Sequence, residues 1–292
     1  MTTWIEVALN GPWGTAIQPG IPITHEAIVR EAIACAQAGA SIVHFHAYDE
    51  STGRQHDDWQ SYARTIAAIR DAVDVIAYPT VPLYGDAVER YRHIDELGRR
   101  GLIEWAVVDP GSLDVVLPAR DGAIDPGFVY LNPPDHVREG LHVCRDYGIR
   151  PSYAIYEPGF TRLGALLAAE YPGLPRPVYR FMFSDQFAWG FPPEPYALDA
   201  HVRLLGACDA SAAWMIAGLG VDVEPLAAET IARGGHVRVG LEDARLGTDR
   251  TNLALVEAMV RTVRRAGSEP ARAAEVRAAL ADAEHAGTPS VG

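Results

Sequence analysis

The stretch that decides the fold is SIVHFHAYDE, residues 41–50, in which an apolar run ends in two histidines, His44 and His46. Successive side chains of a strand point to opposite faces, so a spacing of two places both rings on one face. A buried imidazole needs partners for its ring nitrogens. The pair therefore predicts either a hydrogen-bonded polar network or a metal site, and residues 41–50 alone leave both open.

Strand-like runs of this kind recur along the chain and alternate with helical segments. We predict strands at Ile5–Leu9, Ser41–His46, Val75–Pro79, Glu104–Val108, Pro151–Tyr156, Val178–Phe183, Ala213–Ala217 and His236–Leu241. We predict helices at His25–Gln37, Trp59–Asp71, Asp86–Leu97, Pro134–Tyr147, Arg162–Glu170, Pro195–Leu205, Pro225–Arg233 and Asn252–Ala266. Eight βα units in 292 residues predict an α/β protein of the (β/α)8 TIM-barrel type. A doubly wound sheet is disfavoured, because no dinucleotide-type glycine-rich turn follows a strand.

Two segments are additions to the basic barrel. Pro110–Pro133 is too long for a simple connection and contains a possible extra strand, Phe128–Leu131, so we expect an elaborated loop after strand four. Arg272–His285 predicts a short C-terminal helical tail. No repeat or low-complexity linker divides the sequence, so residues 1–292 are expected to form a single barrel domain.

Composition excludes several classes of function. The net charge of −13 disfavours binding to nucleic acid or to an anionic membrane surface, and there is no apolar run long enough to span a membrane. The N-terminus lacks the features of a signal peptide, and three well-separated cysteines indicate free thiols, so we expect a cytoplasmic protein. The chain contains no lysine, which excludes a Schiff-base aldolase, a lysine-anchored pyridoxal-phosphate enzyme and a Walker-type nucleotide site.

A second polar stretch, GGHVRVGLEDARLG at residues 234–247, belongs to the predicted eighth strand. Alternation turns Arg238 and Glu242 toward the barrel axis. Strands eight, one and two are neighbours in a closed barrel, and catalytic residues gather at the carboxyl ends of barrel strands. His44, His46 and Glu242 are therefore expected to converge, and two imidazoles with one carboxylate form a typical catalytic zinc set. The alternative is a buried His–Glu–Arg network without metal.

Two neighbours of this set also have two interpretations each. Arg238 can form a structural ion pair with Glu242, or it can hold a substrate carboxylate in a bidentate grip. Asp243 can cap the following helical region, or it can act as a base beside the metal.

The sequence as a whole resembles the β-keto acid cleavage enzymes, of which 3-keto-5-aminohexanoate cleavage enzyme is the type. The resemblance rests on an Asn10–Gly11 turn, PIT (22–24), AGASIVHFHAYDESTGR (38–54), Asn132 in YLNPP, GGHVRVGLED (234–243) and GSEPARAAEVRAAL (267–280). It implies a zinc-bearing barrel, a homo-oligomer (dimer or tetramer), that condenses a β-keto acid with acetyl-CoA to give acetoacetate and a new acyl-CoA. Such an enzyme is an acyltransferase with one Zn²⁺ per chain and acetyl-CoA as co-substrate.

The resemblance also implies roles for particular residues. By position, His44, His46 and Glu242 would hold the metal. Asp243 matches the family's base, which takes a proton from the carbon between carboxylate and ketone, and Arg238 matches its catalytic arginine. Metal-stabilised enolate formation, attack on the thioester and a retro-Claisen step would then follow.

The substrate is expected to contact Asn10, Trp13, Thr80 and Glu157. Trp13 stands where the family usually has an acid, which predicts a substrate tail that is not cationic and is apolar or aromatic. Thr80 keeps the hydroxyl of a family serine.

Other positions depart from the family pattern. Val107 stands at a position that is usually a hydroxyl residue, and Tyr48 replaces a common arginine. The glutamate usual on strand five falls on Ala154, for which Glu157 is a candidate replacement. These departures keep two alternatives open: a zinc-dependent lyase or hydrolase that does not use CoA, and a non-catalytic relative that binds a small acid or CoA ester.

Overall fold

The eight predicted strands are all present and form the sheet of a TIM barrel. The computed structural model describes residues 2–116 and 127–286. In these ranges the barrel strands are β1 (Ile5–Ala8), β2 (Ile42–Phe45), β3 (Ile76–Pro79), β4 (Trp105–Val107), β5 (Arg150–Ile155), β6 (Val178–Phe183), β7 (Trp214–Gly218) and β8 (His236–Val239). Each strand starts and ends within two residues of its predicted bounds.

Parallel pairing links these strands in the order expected for a (β/α)8 barrel. The hydrogen-bonded order is β3-β2-β1-β8-β7-β6-β5-β4, and β3 lies beside β4 to close the ring. Three registers place the polar residues of the barrel axis in adjacent positions. Glu6 of β1 pairs with Arg238 of β8, while His44 of β2 pairs with Ala8 on one side and Tyr78 on the other. The sequence-based expectation that strands eight, one and two are neighbours is confirmed.

A helix follows each strand and covers the outside of the sheet. The helices are α1 (His25–Ala38), α2 (Trp59–Ala72), α3 (Ala87–Arg99), α4 (Pro134–Tyr147), α5 (Pro158–Ala168), α6 (Pro195–Cys208), α7 (Glu224–Ala232) and α8 (Asn252–Arg265). Several begin at the signals that the sequence carries: Thr24 caps α1 through the amide of Ala27, and Asp86 forms a capping box with Glu89 at the start of α3. In the described residues, no helix is long and apolar enough to cross a membrane.

The predicted bounds of one helix were wrong by four residues. Helix α5 begins at Pro158, directly after Glu157, and not at Arg162. Proline at the first helical position has its φ already fixed near the helical value and has no amide to leave unpaired, so the segment PGFT enters the helix although it is typical of a turn.

Both additions to the barrel are confirmed within the described residues. Leu113–Val115 and Phe128–Tyr130 pair as an antiparallel hairpin after β4. Residues 117–126 of the predicted loop lie outside the described ranges. The C-terminal tail is helix α9, Ala273–Ala286. Arg277 of this helix binds Glu104 and Asp74, which fastens the tail to the amino-terminal end of the barrel.

The turn from β8 into the candidate site depends on a glycine. Gly240 has a φ of +143°, and a Cβ built there would lie 2.0 Å from the carbonyl oxygen of Ala8 on the neighbouring strand. No side chain fits that space without moving β1 or β8. The turn places Glu242 and Asp243 immediately beyond the strand end.

We predict that Gly240→Ala destabilises the protein by about 3 kcal/mol or more, because the new methyl group meets strand backbone that has no room to move. Gly206→Ala is the matched control: Gly206 is exposed in α6, and a Cβ added there would have nothing within 4 Å. The control is expected to be neutral or to gain up to about 1 kcal/mol from helix propensity. Denaturant unfolding of both variants measures the difference, and equal stabilities would contradict the packing described for β8.

Candidate active site

His44, His46 and Glu242 converge at the carboxyl end of the barrel. His44 Nε2 lies 3.5 Å and His46 Nε2 3.6 Å from the same oxygen, Glu242 Oε2. One ligand atom from each of the three residues lies within 4.8 Å of the other two. All three residues are buried. The three residues predicted from the sequence to converge therefore do lie together.

The chemistry of these atoms fits a metal ion. His46 Nε2 and Glu242 Oε2 are buried and have no hydrogen-bond partner among the described residues, although they face each other. Burial lowers the pKa of His44 well below its usual range, which leaves a neutral imidazole with a free lone pair. Burial alone would raise the pKa of Glu242, but the guanidinium of Arg238 opposes it, and the pKa is held well below the usual range. Two imidazoles and a carboxylate are donors that zinc prefers.

One contact made by His46 was missed by the sequence analysis. His46 Nδ1 lies 2.9 Å from Oε1 of Gln55, and Gln55 Nε2 in turn donates to both carboxylate oxygens of Asp57. The amide oxygen of Gln55 can only accept, so Nδ1 carries a proton. The tautomer that this contact selects has its lone pair on Nε2, which faces Glu242. Gln55 lies in the second strand of a short hairpin after β2, in which Tyr48–Asp49 pairs with Arg54–Gln55. Two-residue strands leave no pattern in the sequence that marks it.

The side chain of Asn10 forms hydrogen bonds with the backbone of His46. The Asn10 side chain donates to the carbonyl of His46 and to that of Pro22, and its oxygen accepts from the amide of His46. Asn10 is fully buried and does not line the cavity described below. In the structure Asn10, which was predicted to contact the substrate, holds the backbone at the end of β2 by hydrogen bonds.

Arg238 lies among three buried carboxylates. Its Nε and Nη2 donate to the two oxygens of Asp243 at 2.9 and 2.8 Å, Nη1 donates to Glu6 at 3.1 Å, and Nη2 is also 2.8 Å from Glu242. Arg238 therefore forms the predicted ion pair with Glu242 and two others besides. Three carboxylates against one guanidinium leave a formal excess of two negative charges, which a divalent cation in the triad would balance.

The triad lines a cavity of about 230 Å³ at the mouth of the barrel. The walls are mainly apolar and aromatic: Pro12, Trp13, Val81, Leu83, Val107, Leu113, Val115, Phe128, Tyr130, Tyr156, Trp189 and Leu219. Of the residues predicted to contact substrate, Trp13 and Thr80 line this cavity. Trp13 is fixed there, because its Nε1 donates to the carbonyl of Glu242.

Three more of the predicted site residues do not line this cavity. The carboxylate of Glu157 accepts a hydrogen bond from the amide of Gly190 and so supports the loop after β6. Asp243 and Arg238 line a smaller cavity beside β8, where Val221 and Arg250 also lie. Asp243 does not cap a helix, since both of its oxygens bind Arg238 and Thr251 caps α8.

Two charged residues that the sequence analysis overlooked do line the cavity, Asp109 and Arg180. Asp109 follows β4 and accepts hydrogen bonds from the amide of Ala154 and the hydroxyl of Tyr130. Burial raises the pKa of Asp109. The neighbouring Arg180 is the third residue of β6, in register with Ala154 of β5. An arginine inside an otherwise apolar strand, VYRFMF, was the signal in the sequence that could have identified it.

Comparison with known proteins agrees with this architecture. The family model of the beta-keto acid cleavage enzymes matches residues 2–281. The chain belongs to the beta-keto acid cleavage enzyme family. As a member of this family it is an enzyme, and the resemblance read from the motifs is confirmed.

Relatives with assigned activities cover almost the whole chain. A 3-dehydrocarnitine:acetyl-CoA trimethylamine transferase of Rhizobium meliloti is 26% identical over 95% of this chain and 95% of its own length. A 3-keto-5-aminohexanoate cleavage enzyme of Fusobacterium nucleatum is 28% identical over 90% of this chain and 91% of its own. Among solved structures, the complex of ObcA with oxaloacetate matches with a TM-score of 0.69 and 18% identity, over 90% of this chain and 67% of that chain. This last likeness shows the barrel fold.

We predict that Gln55→Leu weakens Zn²⁺ binding by about 10- to 100-fold, the usual effect of losing a group that orients a metal-binding histidine. Gln37→Leu is the control, since Gln37 is exposed on α1 and makes no contact with the triad. A competition titration with a chromophoric chelator measures both affinities. If the two variants bind zinc as tightly as the unsubstituted protein, Gln55 does not set the tautomer of His46.

Proposed function

We propose that the enzyme condenses a β-keto acid with acetyl-CoA and releases acetoacetate and a new acyl-CoA. The observation that carries this proposal is the buried triad His44–His46–Glu242 at the floor of a mainly apolar cavity. Family membership supports the reaction class, and three relatives that are named for acetyl-CoA as co-substrate or for keto-acid cleavage support the two substrates. We further propose that residues 1–292 form one barrel domain, which the match over residues 2–281 supports.

The triad is proposed to hold one zinc ion. A zinc ion bound there supplies Lewis-acid stabilisation of negative charge on the oxygens of a keto acid. His46 is oriented for this task by Gln55, and Glu242 by Arg238. Zinc is favoured over harder cations because two of the three donors are imidazoles. A dimeric or tetrameric assembly stays a prediction from the resemblance.

Asp243 is proposed to take the proton from the carbon between carboxylate and ketone. In the structure both oxygens of Asp243 accept hydrogen bonds from Arg238, so the carboxylate has to turn away from Arg238 to reach a substrate in the main cavity. Burial raises the pKa of Asp243 although Arg238 opposes the shift, which favours proton uptake once the contact with Arg238 is broken. Arg238 would then act as the group that holds the base and releases it.

The walls of the cavity support a substrate with an uncharged tail. Trp13, Tyr130, Tyr156 and Trp189 present aromatic surface toward the space above the triad. A primary ammonium tail would lose its hydration there, because the carboxylates that line the cavity are already used: Glu242 belongs to the triad, and Asp109 accepts from Tyr130 and the amide of Ala154. We therefore propose an apolar or aromatic β-keto acid as the substrate.

The test combines metal analysis with a turnover assay. We expect about one zinc per chain, and acyl-CoA formation from acetyl-CoA and at least one β-keto acid of a panel that spans alkyl, aryl and amino-substituted tails. His46→Ala should lose more than about 100-fold in zinc affinity, since removing a ligand costs more than removing the group that orients it. Turnover should be lost with the metal.

His142→Ala is the control, because His142 is an exposed histidine of α4 whose partner is Asp146. This variant should keep both zinc and activity. Zinc without acyl-CoA formation on any member of the panel would favour the lyase or hydrolase that does not use CoA. Acyl-CoA formation only from amino-substituted acids would contradict the assignment of an uncharged tail.

A further inference from the structure

Arg180 is a buried cation whose hydrogen-bonding capacity is largely unused. Only 3% of the residue is exposed, and its Nε is buried without a hydrogen-bond partner among the described residues. The hydrogen bond from its Nη2 to the carbonyl of Ser152 is 3.5 Å long, at the limit for such a bond. A buried guanidinium with unused donors costs free energy of folding, so its presence in this cavity needs an explanation.

The nearest opposite charge does not satisfy Arg180. Arg180 Nη2 lies 3.9 Å from Asp109 Oδ1, and that oxygen already accepts from the amide of Ala154. The other oxygen of Asp109 accepts from Tyr130. Burial lowers the pKa of Arg180, but the charges of Tyr78, Glu6 and Asp109 outweigh it and raise the pKa. What Arg180 lacks among the described residues is a carboxylate within hydrogen-bond distance, in contrast to Arg238, which binds three.

Arg180 is also placed where a ligand can reach it. It lines the same cavity as the triad, whereas Arg238 does not. Its neighbour in register on β5 is Ala154, a small residue.

We propose that Arg180 is the substrate-binding residue that holds the carboxylate of the β-keto acid, a part that the sequence suggested for Arg238. This inference rests on the proposed function for the identity of the acid. A carboxylate in the cavity beside the triad supplies an acceptor for the guanidinium that lines it, and the negative charge that Asp109 supplies only at 3.9 Å. The keto group and the tail then lie toward the triad and the aromatic wall. The enzyme is accordingly specific for free acids over their uncharged amides and esters.

The experiment measures binding of acetoacetate, the smallest stable β-keto acid, and of acetoacetamide, its uncharged isostere, to the zinc-loaded protein by calorimetry. We expect the unsubstituted protein to bind acetoacetate more tightly than acetoacetamide. Arg180→Gln should lower the affinity for acetoacetate by about 10- to 100-fold, which corresponds to the loss of a charge-assisted hydrogen bond. The affinity for acetoacetamide should be unchanged. Arg180→Lys should recover part of the affinity for acetoacetate, since it keeps the charge without the planar fork.

Arg203→Gln is the matched control, because Arg203 is 79% exposed on α6 and lies away from the cavity. It should leave both affinities unchanged. The inference is overturned if Arg180→Gln weakens both ligands equally, or neither. If no Arg180 variant folds, the two ligands are compared on the unsubstituted protein freed of zinc: a remaining preference for acetoacetate would show that a cation of the protein recognises the carboxylate, and equal affinities would overturn the inference.

The outcomes separate this inference from the proposed function. Acetoacetate binding that depends on Arg180, in a protein that forms no acyl-CoA from any keto acid, would keep the anion site and reject the reaction. Acyl-CoA formation with acetoacetate binding that is independent of Arg180 would keep the reaction and reject the anion site.

Discussion

The carboxyl end of the barrel is organised around Arg238 and the three buried carboxylates of Glu6, Glu242 and Asp243. Arg238 joins β8 to β1 below the triad, and through Glu242 it fixes the carboxylate that faces both histidines. An ion cluster of this kind is expensive to bury, so it is weak evidence for stability by itself. The arrangement is better explained by the candidate site. Arg238 holds Glu242 beside the imidazoles and also binds Asp243, and the excess of negative charge suits a divalent cation.

The main cavity is lined by a second group of charged residues, Arg180 and Asp109. The triad is a set of electron-pair donors, while Arg180 is a donor of hydrogen bonds with little to bind. A β-keto acid carries a keto oxygen for the triad and a carboxylate for Arg180, and its tail would contact the aromatic wall between Trp13 and Trp189. The two arginines of the barrel axis thus differ in kind: Arg238 orients protein carboxylates, and Arg180 is left for the substrate.

The fold and the triad were predictable because both depend on short-range patterns. The alternation of β-branched runs with amphipathic helices marks a barrel, and a closed barrel makes His44, His46 and Glu242 neighbours whatever the details of packing. The start of α5 was missed because a proline at the first turn of a helix and a proline in a loop look alike in sequence. Gln55, Asp109 and Arg180 were missed for another reason. Their importance lies in a single contact, or in the lack of one, and no spacing in the sequence records that the Nε of Arg180 has no partner.

The contacts of Arg238 could not be predicted from the sequence for the same reason. Its position on the inner face of β8 was clear from alternation, but three carboxylates compete for it, and one of them, Glu6, is 232 residues away in the chain. Only the register of β1 with β8 brings Glu6 to Arg238, so that each guanidinium nitrogen already binds a protein carboxylate. Asn10 is a similar case, since its amide is used on both sides of the His46 backbone before any ligand arrives.

The most direct test of the account is an X-ray absorption spectrum at the zinc edge of the purified, zinc-loaded protein. The account predicts a shell of nitrogen and oxygen ligands with the outer-shell scattering of two imidazoles, one carboxylate and at least one further light atom, and no sulfur. A shell that contains sulfur, or one made of oxygen alone, would place the metal away from His44, His46 and Glu242. It would contradict the assignment of the triad as the metal centre.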